Sequence, residues 1–242
     1  KTKDFPLFRE DCRFTDDTVM TIAVRNALRI YDKEKDIQSF QAALIAEMQR
    51  LGRKYEELNL IMVHLGGGIS IGLHKRGVIA DIMTDEEGTF SPERAGGLPM
   101  FDVIKECFSG RYDYKGMMKL VKNQGGLMAH LGTTDSRAVE QMIQSGDAHA
   151  KLVYDAMILN IAKNIAKCAP NVCGKVDAIL LTGGIAYSQY VTSEIEKRVS
   201  FLAPVVVYPG EDEMRSLALG GLRVLRGQET AKIFHKSESA NG

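Results

Sequence analysis

The chain has 242 residues, 45% of them hydrophobic and 26% charged, and its 31 basic and 31 acidic side chains cancel. This ordinary globular balance gives no electrostatic case for nucleic acid or an anionic membrane as a partner, and no apolar run approaches the roughly 20 residues of a membrane span. The four cysteines, Cys12, Cys107, Cys168 and Cys173, show neither a CxxC pair nor zinc-ligand spacing, so reduced thiols and a cytoplasmic setting are expected.

The opening "KTKDFPLFRED" has no signal-peptide core and begins without Met, which raises the expectation of a longer parent chain. A first helix is predicted in "TDDTVMTIAVRNALRIYDKE", where Thr15 or Asp16 can cap and Val19, Ala23, Ala27 and Ile30 share a face. A second is predicted over residues 36–58, with Phe40, Leu44, Met48 and Leu51 at helical spacing. A strand pair follows, "LNLIMVHLG" and "ISIGLHKRGVIADIM", and His74, in a lysine-rich hairpin, is expected to be solvated. Residues 98–123 and 136–169 read as mainly helical. "VDAILLTGGIA" reads as a buried strand running into a glycine turn, with a helix beginning near Ser188. A helix in "SEIEKRVSFLA", a strand in "PVVVYPGE", a final helix and a polar tail over 230–242 complete the chain. Strands that lead into helices through glycine-rich turns predict an α/β architecture.

Two turns hold most of the chemical information. In "HLGGGIS" the glycines Gly66, Gly67 and Gly68 lack Cβ, so the backbone is free to take positive φ and to present bare amides, which suits a phosphate. In "LLTGGIAYS" a strand ends at Thr182 and Gly183 and Gly184 turn the chain. Neither is a Walker A loop or a GxGxxG fingerprint. A tight connection accounts for either turn alone; the pair, about 115 residues apart, points to a split phosphate and nucleoside site. In "TFSPERAGGLP", Arg94 is either a surface charge or a guanidinium able to grip a planar oxyanion. The acids of "YPGEDEM" suit a helix N-terminus, and one of them could equally serve Mg²⁺. His130 reads as a structural histidine or a cleft residue, Asp135 and Arg137 as a local pair, and Tyr187 as an adenine contact or a packing group.

Together "NLIMVHLGGGISIGLHKRG", "EGTFSPERAGGLP", "GGLMAHLGTTDSR", "KVDAILLTGGIAYSQY" and "APVVVYPGEDEM" resemble the butyrate kinases, in the acetate kinase branch of the acetate/sugar kinase, Hsp70 and actin superfamily. The resemblance runs from about residue 54 to about residue 229. It implies a ribonuclease-H-like half of an actin-like fold over 56–229, and reversible phosphoryl transfer from ATP to a short-chain carboxylate such as butyrate. It also implies ATP or ADP with Mg²⁺ as cofactors, and a homo-oligomer. It makes His64 a phosphoryl-contacting residue, Arg94 the transition-state arginine, and Gly66, Gly67, Gly68, Gly183, Gly184 and Ile185 nucleotide-binding residues. Glu213 becomes the metal residue, with Glu211 and Asp212 left open.

Residues 1–55 instead resemble the start of an ADP-ribosylglycohydrolase, in which "TDDT" would supply Thr15, Asp16 and Asp17 to a metal pair. The late acidic motif of that family is missing, and "TTDS" at 133–136 is a poor substitute. The first phosphate loop of a full kinase is missing as well. The resemblances therefore imply a chimera, a helical glycohydrolase-like segment joined to a kinase half, with catalysis impaired. A catalytically inactive nucleotide-binding chain is the alternative, and a glycohydrolase the remote one.

Overall fold

Leu60, Met62 and His64 alternate with Ile61, Val63 and Leu65 along β1 (Asn59–Leu65), and all six are buried. A strand covered on both faces is written as a near-continuous apolar run, and this one is. The computed structural model describes residues 47–48, 50–84, 87–210 and 226. Apart from Arg226 these belong to one of the two compact units of the chain, Ser39–Glu211. The readings of the first helix, "TDDT", the final helix and the tail lie outside the described residues, as does most of the second helix, of which 47–48 and 50–51 are helical.

The second segment of the predicted pair holds two strands. β2 (Ile69–Lys75) and β3 (Val78–Met83) form an antiparallel hairpin around Arg76 and Gly77, whose φ angles of 49° and 84° are both left-handed. A two-residue turn with both angles positive matches the right-handed twist of its strands. His74, expected in solvent, is only 2% exposed, with the Tyr55 hydroxyl 2.6 Å from its Nδ1. Its neighbours Lys75 and Arg76 suggested exposure, but strand alternation sets His74 on the face opposite Lys75, beside Tyr55.

The sheet has the order β3-β2-β1-β4-β5, with β4 (Ala178–Gly183) and β5 (Val205–Pro209) parallel to β1 and β2 antiparallel to it. The helical stretch predicted over 98–123 breaks into α1 (Met100–Cys107) and α2 (Tyr114–Lys122), separated by Gly110 at φ 74°. Then come α3 (Gly126–Leu131), α4 (Ser136–Gln144) and α5 (Ala148–Cys168). Asp147 caps α5 by accepting from the amides of His149 and Ala150 at 2.9 Å, which satisfies two of its free N–H groups. Tyr154, Ile158, Ile161 and Ile165, three or four residues apart, pack against Ile61, Val63, Leu65, Ile179 and Leu181 on one face of the sheet. α6 (Gln189–Val199) follows β4, with Ser188 as its cap, as the sequence predicts. The parallel strands thus end together at one edge, where α/β sheets place their ligands.

Candidate functional site

The register across the sheet brings the two glycine turns side by side. His64 pairs with Thr182 on β4 and Ser70 on β2, and Thr182 pairs with Tyr208 on β5. In-register neighbours share a face, so Ser70, His64, Thr182 and Tyr208 form a polar row beside the strand ends. His64 is 5% exposed and Thr182 1%. Thr182 Oγ1 has no hydrogen-bond partner among the described residues. Sequence reasoning passed over Thr182; the signal was its place as the last polar residue before Gly183, at the same height as His64.

The glycines of the first turn are not there for positive φ: none of Gly66, Gly67 and Gly68 adopts it. Gly66 and Gly68 are buried and Gly67 is exposed. A Cβ on Gly67 would stand 3.4 Å from Glu93 Oε1, an ordinary contact with the end of a flexible side chain, so neither backbone angle nor crowding requires a glycine there. Gly183 does need its freedom. Its φ is 93°, and a Cβ would meet the Leu65 carbonyl oxygen at 2.5 Å. One turn therefore leans directly on the other.

The loop holding Arg94 lies on the first turn. Ser91 Oγ donates to the Gly67 carbonyl at 2.7 Å, and the Glu93 amide donates to the same oxygen at 3.3 Å. Ser91 also closes the loop on itself, its amide donating to the Arg94 carbonyl and its Oγ accepting from the Arg94 amide. From behind, the amides of Gly125, Leu127 and Met128 donate to the carbonyls of Glu93, Ser91 and Pro92. Gly126, at φ 58°, lies so close that a Cβ would overlap the Ser91 carbonyl. Asn164 of α5 donates to Thr89 Oγ1 at 2.8 Å, both side chains buried. Arg94 is 9% exposed, which removes the surface-charge reading.

In the second turn Gly184 is exposed, Ile185 half-buried and Tyr187 71% exposed, with residues 184–187 in one 3₁₀ turn. Gly210 exchanges both backbone hydrogen bonds with Gly183, at 3.0 and 3.2 Å. The chain directly preceding the acidic run is thereby tied to the second turn. Glu211, Asp212 and Glu213 themselves lie outside the described residues, among which no cluster of metal-ligating side chains occurs. His130 is exposed and meets Phe90 edge-on at 6.3 Å, while Asp135 caps α4 and pairs with Arg137. No helix among the described residues is long and apolar enough to cross a membrane.

Comparison with known proteins bears on the family and the fold. The model of the acetokinase family matches residues 36–205, so it begins ahead of the butyrate-kinase-like motifs. Butyrate kinase 1 of Clostridium acetobutylicum is 50% identical over 188 residues, which are 77% of this chain and 53% of that protein. A probable butyrate kinase of Bacteroides thetaiotaomicron is 54% identical over 185 residues, 76% of this chain and 52% of that one. The chain spans about half the length of these curated relatives. Among solved structures, Porphyromonas gingivalis acetate kinase superposes with a TM-score of 0.70 at 22% identity, over 78% of this chain and 54% of its own. A propionate kinase of Francisella tularensis gives 0.64 at 20% identity, over 88% and 60%. These two likenesses concern the fold, which is shared with the acetate and propionate kinases. With most of its length inside the family match, the chain belongs to the acetokinase family.

Proposed function

We propose that the chain supplies the nucleotide side of a butyrate-kinase-type phosphotransferase, which passes the γ-phosphoryl group of ATP to a short-chain carboxylate such as butyrate. A carboxylate oxygen forms the new bond to the γ-phosphorus as the bond to the bridging oxygen breaks; ADP leaves with that electron pair, and the product is an acyl phosphate. The observation that supports this most is the meeting of the two glycine turns, with the Arg94 loop hydrogen-bonded to the first.

Phosphoryl transfer asks a protein mainly for position and charge. In this reading Gly66–Gly68 accommodate the phosphates, Gly183, Gly184 and Ile185 the nucleoside, and Arg94 the charge on the transferring group. His64 donates a hydrogen bond to the same group. Burial of His64 and Arg94 strengthens such interactions by keeping water away. Magnesium, when bound with the nucleotide, would neutralise phosphate charge, and Glu213 is the residue proposed for it. A homo-oligomer in the cytoplasm is part of the same proposal.

The half-length match to the curated relatives favours a second reading, in which this chain alone binds nucleotide with little turnover. Trapping of acyl phosphate with hydroxylamine, in the presence of butyrate, ATP and Mg²⁺, separates the two. We expect turnover well below the common enzyme range of about 1–10³ s⁻¹. Whatever remains should fall by about 10³-fold or more in Arg94→Ala. Product formation indifferent to that substitution would refute the role of Arg94.

A further inference from the structure

We infer that Glu140 is a positioning residue for the nucleoside turn, acting through Ser188; the inference rests on the proposed role of residues 183–185. Ser188 does more than cap α6. Its Oγ accepts from the Val191 amide at 3.1 Å, which is all that a cap requires. The same hydroxyl donates to Glu140 Oε1 on α4 at 2.5 Å. Charge-assisted bonds of this length are among the stronger ones a hydroxyl makes. Tyr154 of α5, fully buried, donates to the same carboxylate oxygen at 3.3 Å. Tyr154 also stacks on Tyr190 at 6.0 Å with the rings 10° from parallel, and the Tyr190 hydroxyl donates to Asp155 at 2.5 Å. The start of α6 is therefore fastened to two other helices.

The opposite end of the turn is fixed independently, by Gly183 against Leu65 and by its paired bonds to Gly210. Only Gly184–Tyr187 lie between these anchors. Ala186 is buried in the core and Ile185 packs on it, but an arch that short also takes direction from its ends, so the Glu140 carboxylate helps set where the amides of Gly184 and Ile185 point. Glu140 does not reach the site itself. It is 43 residues upstream of Gly183 in sequence, and nothing in its local sequence marks it.

Three substitutions in the 242-residue chain test this, with MgADP affinity and hydrogen exchange of the ligand-free protein as readouts. Glu140→Leu removes the acceptor. Glu140→Gln keeps one oxygen able to accept from both hydroxyls. Ser188→Asp keeps a good helix cap but sets a second carboxylate against Glu140. We expect Glu140→Leu to weaken MgADP about tenfold, the usual scale for a network residue that touches no ligand. Amides 185–191 should exchange faster while those of β1 do not change. Glu140→Gln should stay within about threefold of the parent and Ser188→Asp should behave like Glu140→Leu. Equal losses in Glu140→Leu and Glu140→Gln, or a Ser188→Asp variant like the parent, would overturn the inference. If the parent chain fails to bind MgADP, the proposed function falls, and the exchange rates at 185–191 still decide the role of Glu140: unchanged rates in Glu140→Leu would reject it.

Discussion

Gly67 and Gly183 look alike in the sequence, each a glycine after an apolar run, yet the structure asks different things of them. Gly183 sits at φ 93° with the Leu65 carbonyl where its Cβ would be. Left-handed strain in a non-glycine residue costs about 1–3 kcal/mol before any clash is counted. Gly183→Ala should therefore lower the melting temperature by at least about 4 °C in a chain of this size. Gly67 faces only the flexible end of Glu93 at 3.4 Å, so Gly67→Ala should melt within about 1–2 °C of the parent, since surface changes are usually within about 0.5 kcal/mol. A scan that ranks the two variants the other way would contradict this distinction.

His74 gives a second test at the same scale. Burial lowers its pKa to about 4, from an ordinary value of 6.5. The folded protein keeps the imidazole neutral while the unfolded chain takes up a proton, so unfolding binds protons between these values. The contribution is fully present above pH 6.5 and is lost as pH falls toward 4, up to roughly 3 kcal/mol. Denaturant titrations at pH 7 and pH 4.5 should show a smaller acid loss in His74→Gln than in the parent. Equal losses would mean that His74 is protonated without cost.

Among the elements, α5 links the core to the candidate site. One face packs on the sheet, and Asn164 on the same helix reaches Thr89 at the base of the Arg94 loop. Replacing Asn164 by Leu leaves a buried hydroxyl without its partner, worth about 1–3 kcal/mol. We expect a melting temperature lower by about 2–10 °C together with weaker dependence of catalysis on Arg94. An unshifted melting curve would show that Thr89 finds another partner.

The elements also show what a sequence can reveal. β1 and β4 were legible because strands buried on both faces are written as unbroken apolar runs, and α6 because Ser188 precedes a helical stretch. The hairpin at His74 was legible too, though not that Arg76, a non-glycine residue, takes positive φ in its turn. The glycine turns were legible as a pair, but not that the first, unlike the second, adopts no positive φ. Their adjacency follows from the pairing of Leu60 with Ala178, a tertiary fact that no local pattern carries. Glu140 was missed for the same reason, since its partners Ser188 and Tyr154 come from other elements.

At the scale of the molecule, the chain brings both glycine turns to one sheet edge and spans about half the length of its curated relatives. In the proposed reading the two turns hold the nucleotide, whereas transfer also needs the carboxylate held in line against the phosphoryl group in a water-poor cleft. Affinity and turnover should therefore separate in this chain. The central claim is that the two glycine turns form one nucleotide site, and calorimetric titration with MgADP tests it most directly. We expect saturable binding at millimolar nucleotide or below in the parent, and weakening in both Gly67→Val and Gly184→Val, one variant in each turn. Absence of heat with the parent, or a loss confined to one of the two variants, would contradict it.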